Sequence, residues 1–81
     1  MFYAYVLRSL KNDSYYFGST QNIEDRLKIH NAGKSKYTKP FRPWVVIYFE
    51  EYQTRKEAFN REMFFKCKEG REWLKSQNVI K

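Results

Sequence analysis

The sequence has one cysteine, one histidine, two prolines and three glycines in 81 residues. Each scarcity excludes something. Cys67 alone cannot close an intramolecular disulfide, so no disulfide framework staples this chain. One Cys and one His cannot build a structural zinc site. No window is long and apolar enough to span a bilayer. The opening run Met1–Leu10 is interrupted by Arg8 and lacks a charged n-region and a small-residue cleavage site. An unpaired cysteine without an export signal leads us to expect a reducing cytoplasm. Linkers, internal repeats and low-complexity tracts are also missing, so a single domain over residues 1–81 is expected.

What the chain does have is aromatic residues and positive charge. Seven Tyr, seven Phe and two Trp supply the large apolar areas that a domain this small needs for a core. Lys and Arg number 16 against 9 Asp and Glu, a net charge of +7. Such a balance favours polyanionic partners, with nucleic acid first, although basicity alone also suits an ordinary globular protein.

The residue pattern predicts an α+β fold. Phe2–Leu10 and Tyr15–Ser19 are rich in aromatic and β-branched residues, and the polar Lys11–Ser14 break between them predicts an antiparallel hairpin. Asn22 caps a helix running to about Asn31, with Ile23 and Leu27 as its apolar stripe and Gly33 as its stop. Gly33–Pro43 is a loop carrying Lys34, Lys36, Lys39 and Arg42. Trp44–Glu51 contains the run Val45–Phe49 and is expected to be a strand buried on both faces. Thr54 and Glu57 form a capping box opening a helix to about Lys66 or Cys67. Gly70 is expected to break that helix, Arg71–Ser76 to form a last short one, and the tail to fray. The order β-β-α-β-α-α implies a three-stranded, mainly antiparallel sheet with flanking helices.

Several residues resist a purely structural reading. On the second helix Ala58, Phe59, Met63 and Phe65 define a stripe with Glu62 near its middle. A carboxylate facing a core is costly unless paired or metal-bound; a local ion pair with Arg61 or Lys66 is the plain alternative. Arg26 and His30, four apart, share one helix face, where the Arg could grip phosphate or simply snorkel. Gly18, inside a strand, marks a bulge or a close approach.

Taken together these residues resemble a known signature. Tyr3-Ala4-Tyr5, then ten residues, then Tyr16-Phe17-Gly18 resembles the paired motifs of the GIY-YIG endonucleases. Arg26, eight residues after Gly18, His30 four further on, and Glu62 in the later helix stand where that family carries functional residues. The resemblance covers nearly the whole chain. It is nearest to small stand-alone bacterial members related to the amino-terminal domain of the excinuclease C subunit. Arg42-Pro43-Trp44 and Gly70-Arg71-Glu72-Trp73-Leu74 are similar to that group. Tyr3, Ala4 and Phe17 depart from the motif at packing positions.

The resemblance implies a divalent-metal-dependent endonuclease acting on nucleic acid. DNA is the expected substrate, possessing structure rather than sequence as its guide, in a DNA repair setting. Glu62 would hold Mg²⁺ or Mn²⁺, and Arg26 would bind the scissile phosphate. Tyr5 would be the general base, Tyr16 would position water or phosphate, and His30 would hold a phosphate or orient a neighbour. Tyr3 and Gly18 would shape the site, and Lys34, Lys36, Lys39 and Arg42 would meet the nucleic-acid backbone. A Tyr base needs a lowered pKa, which Arg26 and a metal could supply. The rival expectations are a binding module without catalysis and a small subunit of a repair complex. A homodimer or protein partner for targeting fits a domain this small.

Overall fold

The computed structural model describes all 81 residues, Met1–Lys81. Strands β1 (Phe2–Ser9) and β2 (Tyr15–Thr20) form a hairpin, followed by helix α1 (Ile23–Asn31). A 3-10 turn at Lys39–Phe41 leads into strand β3 (Trp44–Tyr52), then helices α2 (Arg55–Lys66) and α3 (Lys68–Ser76). The sheet order is β2-β1-β3, and β1 pairs antiparallel with both neighbours. The fold is thus the α+β arrangement the sequence predicts.

Local chemistry explains the boundaries. Asp13, at φ 61°, takes the left-handed conformation that closes the hairpin. The Ser9 hydroxyl accepts from the Lys11 and Asn12 amides and donates to the Phe41 carbonyl at 2.6 Å, tying hairpin to loop. The Asn22 side chain accepts from the Asp25 amide at 3.0 Å and caps α1, and Gly33 at φ +77° turns the chain away after it. The Thr54 hydroxyl caps α2 through the Glu57 amide.

The sheet carries a layer on each face. On one face Tyr5, Leu7 and Trp44 pack with Tyr16, Ile23, Leu27 and Val46 under α1. On the other, Ala4, Val6 and Phe17 pack with Phe65, Leu74 and Ile80 under α2 and α3. Each large side chain so buried contributes about 1.5–3 kcal/mol.

Four expectations are corrected. β3 is not buried on both faces: Trp44 is its one buried residue and Phe49 is 51% exposed, because β3 is an edge strand that α1 covers only in part. Gly70 does not break a helix. The break is at Cys67, which is extended at φ −87°, ψ 166°, and Gly70 lies buried within α3. A Cβ there would stand 1.6 Å from the Phe64 carbonyl oxygen, so glycine is what lets α3 approach the end of α2. On α2 the inward positions are Ala58, Arg61, Glu62 and Phe65, spaced i, i+3, i+4, i+7, while Phe59 and Met63 face solvent. Finally, the tail is tied down, since Ile80 is 7% exposed in the core.

Candidate active site

The site is assembled at the β2 edge of the sheet. Tyr5 points from the central strand and sits opposite Gly18 on β2. A Cβ on Gly18 would lie 2.5 Å from the Tyr5 hydroxyl oxygen. The absent side chain is therefore the space through which the Tyr5 phenol crosses its neighbour strand. Beyond it, the Tyr5 hydroxyl meets His30 Nε2 at 3.4 Å, and His30 Nδ1 meets the Thr38 hydroxyl at 2.8 Å. Tyr16 packs tilted against the same group, its ring centroid 4.7 Å from His30 and 6.4 Å from Tyr5. Arg26 stands exposed one turn before His30 on α1.

Glu62 arrives from the opposite face on α2. The Ser19 hydroxyl, next to Gly18, donates to Glu62 Oε1 at 2.7 Å, and Lys66 Nζ donates to Oε2 at 2.7 Å. The carboxylate side chain keeps 12% of its exposure and Lys66 keeps 45%.

Electrostatics show how close these groups are. Burial, and then the neighbouring Tyr16, push the Tyr5 phenol up to about 12; the Arg26 guanidinium pulls against this, and Glu62 adds to it. The expected lowering of the Tyr5 pKa is therefore not present in the protein alone, because desolvation outweighs Arg26. His30 is held below the ordinary 6.5, first by burial and then by Arg26, so it is neutral near pH 7. A neutral ring lets one nitrogen donate while the other accepts.

The structure brings together Tyr5, Tyr16, Gly18, Arg26, His30 and Glu62. Tyr3 is not among them, since its ring packs edge-on against Phe49 at 5.9 Å. His30 is 2% exposed, which leaves it facing Tyr5 and Thr38 rather than solvent. The basic loop divides. Lys34 and Lys36 are exposed, whereas Arg42 folds back over Gly33 and donates to the Lys39 carbonyl at 3.1 Å. Lys39 itself lies exposed in the 3-10 turn. Two contributors escaped the sequence reading. Ser19 has a cue in its place beside Gly18. Thr38 has none, since a threonine in a lysine-rich loop reads as solvated, yet it is 1% exposed and its carbonyl also accepts from Trp44 Nε1.

The donor set constrains any metal. There is no group of three or more His, Cys, Asp and Glu side chains. One half-buried carboxylate fits a cation that keeps most of its ligands as water and substrate oxygen. Mg²⁺ behaves in that way; zinc and calcium prefer fuller protein cages.

Comparison with known proteins identifies the family. Residues 1–77 match the family model of the GIY-YIG catalytic domain. A UPF0213 protein of Staphylococcus haemolyticus is 42% identical over 74 residues, covering 90% of this chain and 89% of its own length. A UPF0213 protein of Listeria welshimeri is 49% identical over 63 residues, covering 76% and 69%. The solution NMR structure of a UPF0213 protein of Bacillus halodurans superposes with a TM-score of 0.54 at 31% identity, covering 95% of this chain and 85% of that one. The chain belongs to the GIY-YIG family, a family of nuclease catalytic domains.

Proposed function

We propose that this chain is a divalent-metal-dependent endonuclease that hydrolyses phosphodiester bonds in DNA, guided by the shape of the substrate. The observation that carries the reading is the Tyr5 phenol crossing β2 over Gly18, with Arg26 and Glu62 both as its electrostatic neighbours at that sheet edge. Glu62 would hold Mg²⁺ or Mn²⁺, which supplies Lewis-acid stabilisation of charge on the phosphoryl and leaving oxygens. Arg26, exposed beside it, grips the scissile phosphate. Tyr16 packs the Tyr5–His30 pair in place and lines the water position. Tyr5 takes the proton of the attacking water once it has lost its own. His30 Nε2, 3.4 Å away, is the acceptor within reach. Lys34, Lys36 and Lys39 add backbone contacts from the loop. A free thiol at Cys67 suits a cytoplasmic protein, and a role in DNA repair or a targeting partner suits a domain with no base-reading element.

One observation favours a second reading, a binding module without catalysis. Both oxygens of Glu62 already have protein partners in Ser19 and Lys66. The two readings separate on labelled branched, nicked, duplex and single-stranded DNA and RNA, with Mg²⁺, Mn²⁺ or EDTA. The nuclease predicts metal-dependent cleavage that disappears in folded Arg26→Ala. Binding without cleavage under every condition would leave the module.

A further inference from the structure

Beyond Ser19, the β2 edge continues into a cleft of about 270 Å³ lined by Tyr15, Phe17, Arg71, Lys75, Ile80 and Lys81. Three of these residues are cationic and none is acidic. Arg71 and Lys75 are four apart on α3, so they share one face of the helix. Neither makes an ion pair, in contrast to Arg61 and Lys66, which do. Like charges at that spacing repel, and a bound anion would relieve this. Glu69 and Glu72 are also on α3 but do not line the cleft.

Phe17 explains how one of these cations is held. It departs from the isoleucine of the family motif, and its ring is 7% exposed in the core. The Arg71 guanidinium lies 5.9 Å from the centroid of that ring. This contact, near the ~6 Å reach of a cation–π interaction, leaves the exposed planar fork free to bind phosphate oxygens in pairs. Phe17 and Tyr15 precede Ser19 along the strand by two and four residues. At about 3.3 Å per residue the cleft extends to roughly 13 Å from the Glu62 contact, a few phosphates away.

We propose that this cleft is a phosphate-binding tract for the substrate strand beyond the scissile bond, with Arg71 and Lys75 as its contacts. The inference rests on the nuclease reading above and says where the strand runs: along β2 and α3, on the opposite face of the sheet from the α1 layer that the basic loop joins. These contacts are to the backbone, so they add affinity and register without base preference.

The test is fluorescence anisotropy of labelled DNA across a salt series, in EDTA so that nothing is cut. Wild type is compared with Arg71→Gln, with the Arg71→Gln/Lys75→Gln double variant, and with Lys56→Gln, which removes an exposed charge on α2. All three changed side chains are at exposed positions, and circular dichroism checks the fold. The slope of log affinity against log salt should flatten by about 0.9 in the single variant and about 1.8 in the double variant on duplex, and stay unchanged in Lys56→Gln. A double variant that matches wild type in Kd and slope overturns the tract and leaves the nuclease reading standing. An equal change in Lys56→Gln overturns it too, by assigning the effect to net charge. Failure of wild type to bind any substrate overturns both the tract and the nuclease reading.

Discussion

Glu50 and Glu62 are two half-buried carboxylates on the same side of one small sheet, held in opposite ways. Glu50, near the β3 edge, receives Arg61 through both Nε at 2.7 Å and Nη2 at 3.3 Å, and the Tyr48 and Tyr52 hydroxyls also donate to it. Arg61 is itself stacked between Phe64 and Trp73, 4.6 Å from each ring centroid. Burial alone would raise the Glu50 pKa, but the bonds from Arg61, Tyr48 and Tyr52 outweigh it and the carboxyl falls below 4.5. The two tyrosines rise to about 12, chiefly through burial and then through Glu50. Glu62 has one hydroxyl and one half-exposed lysine instead. A carboxylate enclosed by four donors is committed to structure. One with a single exchangeable cation retains lone pairs for another ligand.

The comparison can be broken from either side. The largest effect is expected at the enclosed acid. Glu50→Ala strands Arg61 and two phenols, and should cost about 3 kcal/mol. At about 4–8 °C per kcal/mol for a domain this size, that is a fall in Tm of about 12–24 °C, read by thermal melt, with turnover per folded molecule retained. Next comes Gly18→Ala. Its methyl would displace the Tyr5 hydroxyl, and a shift of about 1 Å should lower the cleavage rate on the order of 100-fold, measured as kcat on a fixed substrate. Thr38→Val removes the partner of His30 Nδ1 and should lower kcat about tenfold, a barrier change of about 1.4 kcal/mol, with KM little changed. Lys66→Gln should alter stability by less than about 1 kcal/mol in a denaturant melt, because its ion pair is half exposed.

The pH dependence follows from His30, whose folded pKa lies below the unfolded value of 6.5. Between those two values the unfolded chain binds the extra proton, so stability rises with pH across that window. The His30 contribution is fully present above about pH 6.5 and is lost as pH falls through the folded value. Denaturant melts at about pH 7.5 and about pH 5 should differ in this direction, and His30→Gln should reduce the difference.

Much of this was legible in the chain because hydrophobic periodicity and capping residues are local. The hairpin, the Asn22 and Thr54 caps and the β-β-α-β-α-α order follow from neighbours a few residues apart. The errors lie where partners are distant. The α2 stripe was misplaced because two inward positions, Arg61 and Glu62, are charged, and their partners Glu50 and Ser19 are 11 and 43 residues away. Gly70 looks like a breaker until the Phe64 carbonyl is seen against it. Motif spacing led to Tyr5, Gly18, Arg26 and Glu62, but Thr38 and the enclosure of Glu50 depend on tertiary contacts that spacing does not encode.

The central claim is that Glu62, held by one hydroxyl and one lysine, serves the chemistry, and that Glu50, held by four donors, does not. The direct measurement is the single-turnover rate of DNA cleavage in Mg²⁺ by folded Glu62→Gln beside wild type. Gln keeps the shape and the Ser19 contact but loses the charge. The account predicts loss of at least about 100-fold in rate with Tm nearly unchanged. Cleavage at the wild-type rate by Glu62→Gln, or wild-type cleavage that persists in EDTA, would contradict it.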